Sequence, residues 1–481
     1  MASNPRRFHY LLLMLPVIIL IAAAITIIAA SAGTPIGANA NTTTNTATAI
    51  VNAPYNLNNL NITPGSDPSQ LNFSWATQKL LVGTDADTPI PEVQIAKASD
   101  AEGPAFPAAK AKTFYGASIE SFVSAAPSEI PTVSTAGTVF GGFYQSKVTV
   151  SGLDNSTAYV YRVGDGTDAG WSSTYTFNTR DPRSYSFLAT GDPQLGAKSF
   201  GAKTLTYDQA GWQDTVEKAA SKFPNVSFLI SLGDEVNNTS SQQTQDQEYS
   251  AYFSPSQLTS LPVATIDGNH DFSMGPYYGY HYNLPNQSTQ YGASQWGNDG
   301  DYWFTYGNAL FMVINSNTES IATHDVFIGQ AIAANPKAKW RIVSFHHSVY
   351  SEASHVNDAE IQYRRLSYPA VFDKYKIDVV LQGHDHSYTR SFQMLGGLPQ
   401  KNQTIAKGSV VNPTGTLYLT LDSGSGSKFY AFTVAEQAYS AFRWQQDVPT
   451  FSYVTVDDNK FSIVTYRTDN VSAIDQYSIT K

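Results

Sequence analysis

The chain has 481 residues, 42% apolar and 13% aromatic, so it is long enough for two or three domains and too apolar to be wholly disordered. A formal net charge of -10 leaves no basic surface for wrapping nucleic acid, and the lack of cysteine excludes disulfides, zinc-thiolate sites, iron–sulfur clusters and a cysteine nucleophile. An anionic substrate would have to meet its positive charge from bound cations.

Arg6 and Arg7 precede an almost unbroken apolar run from Tyr10 to Ala30, after which the chain turns polar. Positive charge ahead of such a run keeps the start of the chain inside and sends the remainder outward. The run is longer than a cleaved signal core and near the span of a bilayer, while "ANA" at 38–40 is a candidate cleavage site. Residues 1–40 are therefore expected to be a signal peptide or an N-terminal membrane anchor, and the rest extracellular, secreted or tethered. Residues 41–52, with "NTTTNTATA", read as a polar spacer. Asn-x-Ser/Thr triplets at Asn61, Asn72, Asn155 and Asn238 fit an exported surface.

From 53 to 180 short runs such as "LNFSWAT" and "STAYVYRVG" alternate apolar with polar residues, and turns such as "SGLDNST" separate them. This predicts about seven strands in a β-sandwich. Gly164-Asp165 within it reads as a turn alone. The stretch "TRDPRS", 179–184, reads as a linker. Beyond it the runs "SYSFLAT", "NVSFLISL", "ALFMVINS", "WRIVSF" and "IDVVLQ" alternate with helix-compatible stretches at 206–222, 245–259 and 324–334. Such alternation predicts an α/β domain over 184–481, its sheets covered by helices and its functional residues at the carboxyl ends of strands.

Those strand ends share a chemistry. "GDPQ" brings Asp192, "GDEVNN" brings Asp234, and "DGNHD" brings Asn269, His270 and Asp271. "HHS" brings His346 and His347, and "GHDHS" brings His384 and His386. A glycine-aspartate turn or a single histidine means little alone. Together they make a set of oxygen and nitrogen ligands without thiolate, which suits zinc, manganese or iron and not calcium. Six ligands are too many for one open catalytic ion and suit two ions sharing a carboxylate. The glycines before Asp192, Asp234, Asn269 and His384 are expected to let the backbone turn sharply. In "GHDHS" the two histidines are expected to face one way through extended geometry.

The order GD, GD, GNHD, H, GHDH resembles that of the calcineurin-like metallophosphoesterases. The stretch "LDNSTAYVYRVGDGTDAGWSSTYTFNTR" resembles the closing strands of the fibronectin type III-like module that precedes purple acid phosphatase catalytic domains. The resemblance implies a metallophosphoesterase β-sandwich flanked by helices (α/β/β/α) behind an all-β fibronectin type III-like sandwich. It implies that Asp192 and His386 hold one ion, that Asp234 bridges, and that Asn269, His346 and His384 hold the second. His270 would contact phosphate and protonate the leaving oxygen, Asp271 would orient it, and His347 would stand behind the ligands or touch phosphate, with His346 and His347 open to exchange.

Two positions depart from the pattern. Where purple acid phosphatases carry the tyrosine that binds ferric iron this chain has Asn237, and where other superfamily members carry histidine it has Gln194. Both are candidate weak neutral ligands. No ferric-tyrosinate site is expected, and the implied cofactors are two divalent or mixed-valence ions of manganese, zinc or iron. The implied activity is exported, acid phosphatase-like hydrolysis of a small phosphorylated substrate, with a phosphodiesterase or nucleotidase, and a non-catalytic surface binding protein, as the alternatives. The tyrosine- and glycine-rich stretch from Phe272 to Tyr306 is expected either to wall the pocket or to pack over the outside. His281, His324 and His355 are expected at the surface or the pocket edge, and "GSGSK" at 424–428 lacks the spacing of a phosphate-binding loop.

Overall fold

In the strand Tyr185–Thr190, Tyr185, Phe187 and Ala189 face one apolar core and Leu188 faces another, which is why its apolar run is unbroken. The same holds at Trp340–Ser344, Val379–Gln382 and Thr416–Thr420, where Ile342, Leu381 and Leu419 point one way and Val343, Val380 and Tyr418 the other. The computed structural model describes residues 57–80, 90–121, 140–165, 170–198, 204–272, 275–295, 297, 299–318 and 320–481. The apolar run at 10–30 and the spacer at 41–52 lie outside them. Among the described residues no helix is long and apolar enough to cross a membrane.

Two sheets stack face to face in the second half of the chain. One begins with Val263–Thr265, Leu229–Ser231 and Tyr185–Thr190 side by side and parallel, then continues through Thr450–Val456, Lys460–Arg467 and Ala473–Thr480. In the other, Ala309–Val313, Trp340–Ser344, Val379–Gln382 and Thr416–Thr420 run parallel at the centre. Between the sheets lie Phe187, Ile230, Phe311, Ile342, Leu381, Leu419, Val454 and Ile463, each fully buried and worth about 1.5–3 kcal/mol of burial.

Helices Thr204–Lys222 and Gln242–Tyr252 cover the first sheet through Trp212, Val216 and Tyr249. Ser241 caps the second of these, its hydroxyl accepting the Thr244 N–H at 3.3 Å. Helices Ile321–Ala334 and Ala359–Tyr375 cover the other sheet through Phe327, Ile328, Tyr368 and Phe372. The layers therefore run helix, sheet, sheet, helix, as expected.

Ahead of this, two four-stranded antiparallel sheets form a sandwich around Ile62, Phe73, Trp75, Val93, Val148, Tyr161 and Val163. One holds Leu57–Pro64, Leu71–Leu80, Phe140–Val150 and Ala117–Ser121; the other holds Lys112–Tyr115, Glu92–Lys97, Ala158–Gly164 and Tyr175–Asn178. The tyrosine-rich stretch packs against this sandwich. Asn61 donates to the His281 carbonyl at 2.9 Å, Thr63 to that of Asn283 at 2.6 Å, and Lys147 to that of Gly279 at 2.5 Å. Asn283 returns a bond to the Val148 carbonyl at 3.1 Å.

Three sequence readings need correcting here. Asn61 and Asn72 are buried in this contact and are not surface positions. His281 is buried among Tyr249, Phe253, Tyr277 and Tyr282. His324 is also buried, its Nδ1 2.7 Å from Asp301 Oδ2. A histidine outside a motif carries no sign of its own burial, because the aromatic or acidic partners that remove it from water come from elsewhere in the chain.

Candidate metal centre

The parallel strands of each sheet end together, so the loops after Tyr185–Thr190, Leu229–Ser231 and Val263–Thr265 come to lie beside those after Trp340–Ser344 and Val379–Gln382. The backbone does not turn there as the sequence suggests. Gly233 has φ +90°, but otherwise the left-handed conformation falls on the functional residues themselves: Asp192 (+25°), Asp234 (+49°), His384 (+79°) and His386 (+38°). Their glycine neighbours supply room instead. A Cβ on Gly268 would lie 2.2 Å from Asp234 Oδ1, and one on Gly383 2.6 Å from Asp192 Oδ2. His384 and His386 thus reach the same centre from a tight turn and not from extended backbone. Left-handed non-glycine residues cost stability and gather where function requires a fixed direction.

Asp192, Asp234, His346, His384 and His386 are all buried, and Asn269 and His270 are half-buried. One atom each from Asp234, His346 and His384 lie within 4.8 Å of one another. His346 Nε2 is 3.1 Å from Asn269 Oδ1, 3.1 Å from His384 Nδ1, 3.4 Å from Asp234 Oδ2 and 3.9 Å from Asp192 Oδ1. His386 Nε2 is 3.7 Å from Asp192 Oδ1. All six residues expected as ligands therefore meet in one place.

The tautomers follow from the partners. His346 donates its Nδ1–H to the Leu232 carbonyl at 2.8 Å, His386 to that of Lys428 at 2.9 Å and His270 to that of Asn237 at 2.6 Å. Each ring is left with Nε2 directed towards the carboxylates. Nitrogen facing carboxylate oxygens is stable only with a proton on the ring or a cation between them.

The electrostatics agree. Burial pushes the Asp192 carboxyl up, and Asp234 adds to this against His346. Burial works the same way on Asp234, but His346 and His270 hold it well below the usual carboxylate range. Burial lowers His346, yet Asp234 and Asp192 outweigh it and lift that ring to about 9. His386 falls to about 3 through burial and then Lys428, and His384 falls well below its usual value through burial and then His347 and His346. Neutral imidazoles at His384 and His386, a His346 ring whose Nε2 proton a cation would displace, and crowded carboxylates make the donor set of a divalent transition ion. A buried atom without a hydrogen-bond partner, Gln194 Oε1, belongs to this same group of residues, and His384 directs Nδ1 into it, so the set fits the metal ions that the sequence implies.

The remaining residues take narrower places. Gln194 Nε2 is 3.4 Å from Asn237 Oδ1, and the backbone of Asn237 is bound on one side to Glu248 and on the other to His270. Asp271 spends one oxygen on the N–H groups of Glu235 and Gly268, at 3.2 and 3.1 Å, and the other on the Tyr249 hydroxyl at 2.8 Å. It braces the two loops that carry Asp234 and Asn269. His347 lies behind His384, ring centres 4.7 Å apart, with its Nδ1 2.8 Å from Ser316 Oγ.

Sequence reasoning missed what surrounds His384. The His355 ring lies 4.2 Å from it, with Nδ1 2.7 Å from Asp358. Asp385, between the two histidines, points away from the centre. Its oxygens take the Ser351 hydroxyl, the Ala353 N–H at 2.8 Å and the His355 N–H at 2.9 Å, which sets the loop that delivers His355.

Two family profiles match the chain: a purple acid phosphatase N-terminal domain over residues 57–179, and a calcineurin-like phosphoesterase over residues 185–388. An uncharacterized protein of Mycobacterium tuberculosis is 32% identical over 94 residues, 18% of this chain and 18% of the relative. Purple acid phosphatase 1 of Ipomoea batatas is 25% identical over 314 residues, 61% of this chain and 62% of the relative. The match thus spans less than two thirds of either curated relative. The solved purple acid phosphatase PPD1 from yellow lupin (Lupinus luteus) seeds has a TM-score of 0.67 at 17% identity, over 89% of this chain and 75% of that one, a likeness of fold.

Proposed function

The chain belongs to the purple acid phosphatase-like branch of the calcineurin-like phosphoesterases, and from that premise we propose that it is an exported hydrolase of phosphate monoesters with a two-metal centre. One observation carries the reading: His346, His386 and His270 each donate Nδ1–H to a backbone carbonyl, and so turn three Nε2 atoms towards the buried pair Asp192 and Asp234.

In this reading Asp192 and His386 would hold one ion, Asn269, His346 and His384 would hold the other, and Asp234 would serve both. Gln194 Oε1 is a weak neutral ligand, while Asn237 holds Gln194 and His270 in place. When bound, two such cations polarise phosphoryl oxygens and make a water molecule more acidic. Manganese, zinc or ferrous iron suits the ligands. No tyrosinate stands at 237.

The protein's own groups do the rest. His270, 22% exposed and fixed through Asn237, delivers a proton to the leaving oxygen through Nε2. Asp271 holds its loop. His347 backs His384 from the buried side, and the half-buried His355 flanks it where a phosphate could approach. Asn61, Thr63, Asn72, Lys147 and Tyr161 of the sandwich donate hydrogen bonds to carbonyls of the catalytic half, which supports a bracing part for it.

Elemental analysis and turnover of wild type and Asp234→Ala test the reading, with a phosphomonoester, a bis-ester and a nucleotide as substrates. About two metal equivalents are expected in wild type, with the monoester preferred, and loss of both metal and turnover in the variant. Unchanged metal and turnover in Asp234→Ala would remove the bridging role, and preference for the bis-ester or nucleotide would replace the monoesterase. Cell fractionation tests export, since recovery of the chain in the cytosol contradicts it.

A further inference from the structure

Among the described imidazoles of the centre, His384 stands apart. His346, His386 and His270 have backbone carbonyls for their ring protons. His384 directs Nδ1 into the centre, 3.1 Å from His346 Nε2, so its ring proton sits on Nε2. That atom is buried and has no hydrogen-bond partner. A buried N–H without an acceptor is costly, and native structures rarely leave one so.

The surroundings narrow the choice of acceptor. One atom each from His347, Glu360 and His384 lie within 4.8 Å of one another. His347 already has Nδ1 against Ser316 Oγ. Glu360, in the first turn of Ala359–Tyr375, is 42% exposed and loosely tied to Arg364 Nη1 at 3.4 Å. Arg364 does not depend on that tie, since it donates to the Ser316 carbonyl at 2.6 Å.

We propose that Glu360 is the outer partner of His384: its carboxylate accepts the Nε2–H, after a side-chain rotation or through one water, and so fixes the ring and strengthens its Nδ1 as a metal ligand. The inference rests on reading His384 as a ligand. It gives one of the two ions a ligand backed by a full negative charge, whereas the ligands His346 and His386 are backed by neutral carbonyls. Because Glu360 is reachable from solvent, this is also the point at which the ligand set can be loosened without touching a ligand.

The test is a calorimetric titration of metal-free protein with Zn²⁺, for wild type, Glu360→Gln and Glu360→Asp. Wild type is expected to bind two equivalents. Glu360→Gln should keep both but lose about tenfold to a hundredfold in affinity at one of them, with the other unmoved and the melting temperature of the metal-free protein unchanged. Glu360→Asp should restore part of the loss. Equal affinities in wild type and Glu360→Gln would overturn the role of Glu360 while leaving the two-metal reading intact. Fewer than two equivalents in wild type would overturn the reading of the centre, and this inference with it.

Discussion

The Tyr249 hydroxyl donates to Asp271 Oδ1 at 2.8 Å, and the Tyr249 ring lies 4.0 Å from His281, whose carbonyl accepts a bond from Asn61 of the sandwich. The sandwich is thereby linked, through buried contacts, to the carboxylate that braces the loops of Asp234 and Asn269. Tyr249→Phe should lower stability by about 1–3 kcal/mol, because it leaves a buried carboxylate oxygen unpaired. Thermal melts measure this. Turnover should fall with metal stoichiometry retained, and an unchanged melt would mean that Asp271 holds its loops without help.

Gly383→Ala tests whether glycine is present for room. The added methyl would stand 2.6 Å from Asp192 Oδ2 and 2.9 Å from the Leu232 carbonyl, so the Asp192 carboxylate or the strand beside it has to move. The expected result is a stability loss of about 1–3 kcal/mol together with weaker metal binding. Gly396→Ala, at a position with nothing within 4 Å but with φ +60°, is the control for a backbone effect alone. It should leave metal affinity unchanged.

His270→Gln should separate chemistry from metal binding. His270 stands 4.0 Å from Asp234 Oδ2 and is not needed to hold either ion. Turnover should drop roughly a hundredfold to ten-thousandfold, with metal content at the wild-type level. Loss of metal along with activity would make His270 a ligand.

His281 predicts acid sensitivity. Burial, and then the nearby Lys147 ammonium, hold its imidazole at about 3, against about 6.5 in the unfolded chain. Between those values the unfolded state binds more protons, so this group's contribution to stability falls as pH drops from about 6.5 towards 3, by up to about 1.4 kcal/mol per pH unit. Both ring nitrogens lack partners, so His281→Phe removes the proton site at little cost in hydrogen bonding. The variant's melting temperature should therefore decline less than wild type's over that range. Parallel curves would contradict the assignment.

The clustering of the proposed ligands was legible because each sits within a few residues of the strand that delivers it. Asp192, Asp234, Asn269, His346, His384 and His386 all follow buried apolar runs, and period-2 and helical patterns place those runs in covered sheets. What could not be read depends on contacts across the chain. His355 meets His384 only because Asp385 gathers the 351–355 loop, and Asp271 is a brace because Tyr249 arrives from another helix. Sequence alone points the glycines to turning, because it gives their motif neighbours and not their spatial ones. Gly268 faces Asp234 and Gly383 faces Asp192, each from a different strand end.

The backward-facing Asp385 limits how this protein can be re-engineered. A loop taken from a relative to alter substrate choice at 351–355 must bring a hydroxyl at 351 and free amides at 353 and 355, or the transplanted segment will drift while the cation side stays whole. Libraries built on this scaffold should therefore hold Ser351 and Asp385 constant and diversify the exposed position 354 between them.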